Sequence, residues 1–217
     1  MNPASFAPDL IVEITQACDR ACQGCYAPNV IVTRDALPGN SDLFLSTAAL
    51  SAALSNLERP EMIAVRGGEP SLHPELESIL RLLAACSDRV ILETHGRWIL
   101  GSSSVFLTTF ANLEITIKVS FDEMHGLDAT SLKAISEKLA SNNVSLLVAI
   151  TELNENSFLK TYHLVSDWLD PARVVFQRKA FSADNLIKPR LGVIDSRGRF
   201  RLGLTERLSN KNERLAT

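Results

Sequence analysis

The sequence has few of the features that mark secreted, membrane-spanning or nucleic-acid-binding chains. Its 217 residues include only four cysteines, and aromatic residues make up 6% of the chain. The N-terminus has no basic region followed by a long apolar run, and no stretch approaches the roughly 20 apolar residues that a membrane-spanning helix needs. The formal net charge of −3 supplies no global attraction to nucleic acid or to an anionic membrane. We therefore expect a cytoplasmic protein without a membrane anchor. The net charge does not favour a nucleic-acid partner, but it does not exclude a local basic patch that binds one.

The cysteines are also unevenly distributed. Cys18, Cys22 and Cys25 crowd together, whereas Cys86 stands alone in a helical pattern. A disulfide framework would spread its cysteines along the chain. The clustered thiols therefore indicate metal ligands.

Regular alternation is the main structural signal of the sequence. Apolar, often β-branched runs alternate with amphipathic stretches, which is typical of repeated βα units around a parallel sheet. The six predicted strands cover residues 10–15, 62–66, 90–94, 115–120, 144–150 and 173–181. The predicted helices cover residues 47–57, 74–87, 102–111, 129–141 and 155–169. The first helix has Ser46 or Thr47 as its predicted N-cap.

Five βα units and a sixth strand are too few for a closed eight-stranded barrel. We therefore expect an α/β fold, an open six-stranded (β/α)6 partial TIM barrel, over residues 1–181. Residues 182–217 are predicted to form a short C-terminal extension. Within it, 192–204 can form a hairpin that turns at 196–198, and the last residues are expected to be frayed.

The first predicted strand is followed by cysteines with the spacing C-x3-C-x2-C, from Cys18 to Cys25. Three thiolates can bind three irons of a [4Fe–4S] cluster, which normally has four cysteine ligands. The missing ligand would leave one iron open, and an open position distinguishes a reactive metal centre from a closed structural one. Spacing alone leaves a zinc site as an alternative, completed by His73, His95 or His125.

This spacing, followed by the aromatic residue Tyr26, resembles the signature of the radical S-adenosylmethionine (SAM) superfamily. The resemblance implies that Cys18, Cys22 and Cys25 hold a [4Fe–4S] cluster and that SAM binds its open iron. In that family, an electron from the cluster cleaves SAM to methionine and a 5′-deoxyadenosyl radical, which abstracts hydrogen from a substrate. An electron donor such as flavodoxin or ferredoxin is implied as a partner. The cofactor carries the difficult chemistry, and the protein positions it.

Motifs at the ends of later strands strengthen the resemblance. The second strand is followed by GGEP, which resembles a motif of the same name in the family. By that match, the backbone at Gly67 and Gly68 and the side chain of Glu69 would contact the amino group of SAM. The fourth strand ends in a Ser-x-Asp pattern similar to that of the family, which implies that Ser120 and Asp122 lie near the SAM carboxylate and ribose.

Three further residues are weak candidates for catalytic roles. His95 stands where many relatives have the asparagine of Thr-Asn-Gly, and both a ligand contact and a structural role remain open. Alternation along the fourth strand puts Lys118 on the same face as Ser120. An inward lysine needs a carboxylate or an anionic ligand nearby, and Glu13 is a candidate. His125 follows the same strand on a loop, where an acid–base or substrate role is conceivable.

The motifs identify a superfamily but not a reaction. No cysteine follows Cys86, so one cluster is expected. We expect a radical SAM enzyme that acts on a small molecule or on a modified residue. The alternatives are a glycyl-radical activase that acts on a partner protein, and a non-catalytic iron–sulfur or zinc-binding protein.

Overall fold

The computed structural model describes residues 8–22, 25, 30–32, 41–122, 125–152, 155–178 and 192–202. These residues form two compact units. The first unit contains the described residues of 8–20, 30–90 and 192–202, and the second contains residues 21, 22, 25 and the described part of 91–178. Within the described ranges, every helix is too short or too polar to span a lipid bilayer.

The first unit is built on a mainly parallel sheet. Its strands are β1 (Leu10–Thr15), β4 (Met62–Gly67), β9 (Gly192–Ile194) and β10 (Phe200–Leu202). A separate two-stranded sheet is formed by β2 (Ala17–Cys18) and β3 (Val30–Ile31). Strand β1 runs parallel to β4 on one side and to β9 on the other, while β10 is antiparallel to β9. Strands β2 and β3 pair in parallel directly after β1.

Two helices accompany these strands, α1 (Thr47–Leu54) and α2 (Leu76–Cys86). The predicted N-cap of α1 is confirmed at Ser46, whose side chain accepts a hydrogen bond of 3.2 Å from the backbone N–H of Ala49. Helix α2 begins two residues later than predicted. Its buried residues follow the helical period of an amphipathic face, namely Leu76, Ile79, Leu80 and Leu83.

The second unit has four neighbouring parallel strands. In spatial order they are β5 (Arg89–Thr94, of which Ile91 onward belongs to this unit), β6 (Thr116–Ser120), β7 (Ser145–Glu152) and β8 (Val174–Arg178). The helices of this unit are α3 (Arg97–Gly101), α4 (Ser104–Asn112), α5 (Ala129–Ser141) and α6 (Glu155–Ser166).

The predicted helix over 102–111 corresponds to α4, which begins two residues later and ends one residue later, and the structure adds the short helix α3 before it. The side chain of Ser103 accepts a hydrogen bond of 3.2 Å from the backbone N–H of Phe106, and this cap starts α4 as a separate helix. The aromatic rings of Trp98, Phe106 and Phe110 then pack on one another, with centroid separations of 5.2–5.9 Å. Trp98 therefore joins the two helices through packing.

The α/β class and the parallel βα arrangement are confirmed, and each of the six predicted strands has a counterpart. The structure also contains strands beyond those six, namely β2, β3, β9 and β10. The last two occupy the side of β1 opposite β4, where the backbone groups of β1 would otherwise lack partners. The predicted domain boundary at residue 181, the end of the predicted sixth strand (179–181) and the predicted frayed tail lie outside the described residues. The boundary and the tail stay predictions.

Candidate functional site

The backbone that leads into the first cysteine is bonded directly to the GGEP segment. The backbone N–H of Gly68 donates to the carbonyl oxygen of Thr15 at 2.9 Å, and that of Glu69 donates to the carbonyl oxygen of Ala17 at 2.8 Å. The hydroxyl of Thr15 accepts a further bond of 2.9 Å from the N–H of Ala17. Two segments about 50 residues apart in sequence therefore form one structure, and Cys18 follows it immediately.

The opposite side of the same segment is held by β3. The N–H of Val30 donates to the carbonyl oxygen of Gln16 at 2.8 Å, and the N–H of Val32 donates to that of Cys18 at 2.9 Å. The side chain of Cys18 is buried. The first predicted ligand is therefore fixed by backbone hydrogen bonds on two sides.

The two glycines of GGEP are required by the close approach of this backbone. A β-carbon added at Gly68 would lie 2.1 Å from the carbonyl oxygen of Ala17 and 3.1 Å from the β-carbon of Cys18. One added at Gly67 would lie 2.3 Å from the carbonyl oxygen of Thr15. From the sequence, we expect these glycines to allow a bound group to approach the backbone. In the structure, it is the backbone of Thr15 and Ala17, just before Cys18, that lies against them.

The carboxylate of Glu69 is buried and caps the turn that follows it. Its side chain is 1% exposed, and Oε1 accepts a 3.0 Å bond from the backbone N–H of Ser71. The hydroxyl oxygen of Ser71 is itself buried, and it has no hydrogen-bond partner among the described residues. The same is true of Nε of Arg20, which lies between the first two cysteines. Buried polar atoms without partners are rare in folded proteins and often indicate a site for a missing group.

His73 has both ring nitrogens engaged. Nε2 lies 2.9 Å from the carbonyl oxygen of Leu45, and Nδ1 accepts a 3.0 Å bond from the backbone N–H of Glu75. Because a carbonyl oxygen can only accept, the ring carries its proton on Nε2 and is neutral. Burial lowers the pKa of His73, against smaller opposing effects of the Leu45 hydrogen bond and of Glu75. His73 thus anchors the GGEP turn to the segment before α1.

The three clustered cysteines differ in their exposure. Cys18 is buried in the first unit, while Cys22 is half-buried and Cys25 is exposed in the second unit. All three are thiols rather than disulfides. The backbone N–H of Cys25 donates to the carbonyl oxygen of Cys22 at 3.2 Å. Tyr26, the aromatic residue of the motif, lies outside the described residues.

No group of three or more His, Cys, Asp and Glu side chains suited to a metal ion occurs within the ranges that the structure describes. The donor chemistry of the three thiols nevertheless fits an iron–sulfur cluster. Nε of Arg20, two residues after Cys18, is a buried donor that a bound group would satisfy.

In the second unit, the end of β5 is a network of side-chain caps. The hydroxyl of Thr94 accepts bonds from the N–H of Gly96 at 3.0 Å and from Nε1 of Trp98 at 2.8 Å. Nδ1 of His95 accepts a 3.2 Å bond from the N–H of Arg97. An asparagine oxygen makes the same bond to the residue two positions on. The histidine therefore closes a turn at the end of β5, and it is buried.

Lys118 is buried, and a buried lysine requires a partner. Its exposure is 7%, and its Nζ donates to the carboxylate of Glu93, its cross-strand neighbour on β5. The suggestion that Glu13 serves as this partner is wrong. Glu13 instead pairs with its own cross-strand neighbour Arg66, with 3.1 Å between Oε1 and Nη2. In both cases the parallel register of adjacent strands selects the partner.

The loop after β6 brings together two predicted site residues. Asp122 is buried, and its Oδ1 accepts a 2.9 Å bond from the backbone N–H of His125 and lies 2.7 Å from Nδ1 of the same residue. The carboxylate therefore orients the imidazole. Arg97 donates to the carbonyl oxygen of Gly126 and braces the same loop. Ser120, at the end of β6, is half-buried.

Comparison with known proteins identifies the fold. No protein-family model matches the sequence, and no curated protein sequence matches it. Histidine-tagged anSMEcpe with bound AdoMet (SAM) aligns with a TM-score of 0.53 at 14% identity, over 83% of this chain and 54% of that one. Native anSMEcpe with bound AdoMet and Kp18Cys peptide aligns with a TM-score of 0.53 at 15% sequence identity, over 82% of this chain and 54% of that one. The chain thus spans about half the length of these radical SAM structures and shares their fold.

Proposed function

We propose that this protein is a radical SAM enzyme. The observation that carries the proposal is the pair of backbone hydrogen bonds from Gly68 to Thr15 and from Glu69 to Ala17, immediately before Cys18. These bonds join the GGEP segment to the backbone just before Cys18, inside a single unit. Neither motif is diagnostic alone, since a Gly-Gly turn is common and three cysteines can bind other metals. Their direct contact is expected if both serve one centre.

The proposed roles follow the motifs. Cys18, Cys22 and Cys25 would hold three irons of a [4Fe–4S] cluster. When bound, the cluster and SAM supply a 5′-deoxyadenosyl radical that abstracts hydrogen from the substrate. The remaining contacts to SAM would come from Tyr26, Gly67, Gly68, Glu69, Ser120 and Asp122.

Among these residues, Glu69 and Asp122 are both buried carboxylates that already accept hydrogen bonds from their own loops. Glu69 is a buried carboxylate at the GGEP turn, and a buried carboxylate is stabilised by an ammonium group such as that of SAM. Asp122 already uses one oxygen to orient His125. Of the weak catalytic candidates His95, Lys118 and His125, we favour His125, because its ring is partly exposed and held by a carboxylate.

The same proposal includes the shape of the fold, the cellular location, the electron donor and the substrate class. We infer an open partial barrel, a cytoplasmic location and an electron donor such as flavodoxin or ferredoxin. The substrate would be a small molecule or a modified residue. One anSMEcpe structure contains the Kp18Cys peptide, which supports a residue within a peptide as the first substrate class to test.

A zinc site receives less support from the geometry. His73 would have to give up its bonds to Leu45 and Glu75 before either ring nitrogen could bind a metal. A zinc scaffold also has no need of a buried Glu69 carboxylate. An electron carrier would normally present a fourth cysteine ligand.

Anaerobic reconstitution tests the proposal. The wild-type protein should bind about four irons and give an electron paramagnetic resonance (EPR) signal on reduction that changes when SAM is added. With dithionite and SAM it should form 5′-deoxyadenosine, measured by mass spectrometry. Cys22→Ala should abolish this product, while the matched control Cys86→Ala should retain it. A colourless zinc protein indifferent to SAM, or SAM cleavage by Cys22→Ala at full cluster content, would reject the assignment.

A further inference from the structure

Nε of Arg20 lacks the carboxylate partner that Nε has in three other arginines of the described residues. Arg59, Arg81 and Arg199 each donate from Nε to a carboxylate, at 3.0–3.1 Å. Nε of Arg20 is buried, yet it has no acceptor within the described part of the chain. The residue lies two positions after Cys18 and two before Cys22.

An unpartnered donor of this kind is costly. The guanidinium group stays charged at every physiological pH, so it cannot avoid the cost by losing a proton. A buried N–H of a charged group forfeits its hydration unless an acceptor replaces water. A surface arginine would meet no such cost, because its N–H groups could bind water. An acceptor supplied by a bound group would remove the cost, and an anionic acceptor forms the strongest hydrogen bond with a guanidinium group.

We propose that Arg20 donates from Nε to an anionic acceptor of the bound cluster–SAM centre. The inference rests on the proposed function, because that function puts an anionic centre between the cysteines that flank Arg20. Two sources share this chemistry: the carboxylate of SAM and a sulfur of the cluster. The planar guanidinium suits a carboxylate, and hydrogen bonds to cluster sulfurs shift the reduction potential.

The experiment compares Arg20→Met and Arg20→Lys with wild type and with the control Arg59→Met. Both methionine variants lose one positive charge, but Arg59 is exposed and paired with Asp88. Iron and sulfide content are measured first in each reconstituted holoprotein. The dissociation constant for SAM is then measured by EPR titration. The midpoint potential of the SAM-free cluster is measured by EPR-monitored redox titration. Neither readout depends on turnover.

If the acceptor is the SAM carboxylate, Arg20→Met should bind SAM about tenfold more weakly or worse, with an unchanged potential in the SAM-free state. If the acceptor is a cluster sulfur, the potential of the SAM-free cluster should become more negative. Arg20→Lys keeps the charge but loses the planar fork, so it should lie between wild type and Arg20→Met. Arg59→Met should match wild type in both measurements.

A wild-type SAM affinity and a wild-type potential in Arg20→Met would overturn the proposal. If that variant assembles no cluster, Arg20→Gln takes its place, and failure of both to assemble a cluster would assign Arg20 to loop folding and reject the inference. The proposed function fails separately, when wild type itself forms no SAM-responsive cluster.

Discussion

Gly68 lies so close to Ala17 that a β-carbon on Gly68 would be 2.1 Å from the carbonyl oxygen of Ala17. The neighbour is backbone and cannot rotate away, as the end of a long side chain could. The contact joins the GGEP turn to the residue before Cys18. Any side chain at position 68 must therefore displace the start of the cysteine loop.

We expect Gly68→Ala to lower the free energy of unfolding by about 1–3 kcal/mol, the usual cost of forcing extra volume into a packed site. Urea denaturation measures this change. Gly101→Ala is the matched control, because a β-carbon at Gly101 meets nothing within 4 Å. That variant should be unchanged or slightly more stable, since alanine is the better helix former. Equal stability of the two variants would contradict the close approach.

Lys118→Met should destabilise the protein, because it leaves the carboxylate of Glu93 without the cation that it faces. We expect a loss of about 2 kcal/mol, below the about 3–5 kcal/mol typical of fully buried pairs, because Glu93 keeps partial contact with water. The double variant Lys118→Met/Glu93→Gln should recover most of this loss. A double-mutant cycle from urea denaturation measures the coupling.

The control for this cycle is Arg81→Met, which breaks an exposed pair with Glu77 on α2. Its effect should stay near or below about 0.5 kcal/mol. If Lys118→Met has an equally small effect, the buried pair contributes nothing measurable to stability.

The sequence was sufficient to predict most of the local structure. The bounds predicted for α5, residues 129–141, match the structure to the residue. Asp128 accepts a bond from the N–H of Ser131 at the start, and Asn143 adopts a positive φ of 57° after the end. Such signals lie within a few residues of each helix end. The pairing of β9 with β1 joins residues about 180 positions apart, and no local pattern specifies it.

In the candidate site, too, the motifs can be recognised from neighbouring residues, whereas the contacts between them depend on strand pairing. The cysteine spacing and GGEP were recognisable as motifs, but their contact depends on the register of β1 and β4. The partner of Lys118 was missed although a signal existed. Glu93 is the only acidic residue of β5, and sequential parallel strands usually lie side by side. Alternation alone allows Glu13, whereas the adjacency of sequential strands selects Glu93.

Asp195 should stabilise the turn between β9 and β10. Its carboxylate accepts bonds from the N–H groups of Arg197 and Arg199 at 3.0 and 3.1 Å, and from Nε of Arg199 at 3.0 Å. Asp195→Ala removes all three hydrogen bonds, so we expect a loss of about 1–2 kcal/mol, comparable to the loss of a helix cap. Hydrogen exchange should become faster in β9, while exchange in β7 of the other unit should not change.

The Asp195 carboxylate should also make the stability of the protein depend on pH. Burial acts to raise the pKa of Asp195, but hydrogen bonds from Arg199 and Arg197 outweigh it and hold the pKa below its ordinary value of 3.8. The contribution of Asp195 to stability is therefore complete above pH 3.8 and is lost as the pH falls through the lowered pKa. Unfolding measured between about pH 5 and pH 3 should show a smaller loss of stability in Asp195→Ala than in wild type.

His73 predicts a second pH dependence, at higher pH. Burial holds its pKa below the ordinary value of 6.5, so the folded protein keeps the ring neutral where the unfolded chain would protonate it. The contribution of His73 is therefore complete above pH 6.5, falls as the pH drops below that value, and is lost once the pH passes the lowered pKa. Protonation would also turn Nδ1 from an acceptor into a donor that faces the N–H of Glu75.

We expect His73→Gln to be less stable than wild type at about pH 7.5, but to lose less further stability at about pH 5. Urea denaturation at the two pH values measures both effects, and the exposed control His163→Gln should keep the wild-type difference. If His73→Gln also keeps that difference, the buried imidazole is not the group that titrates.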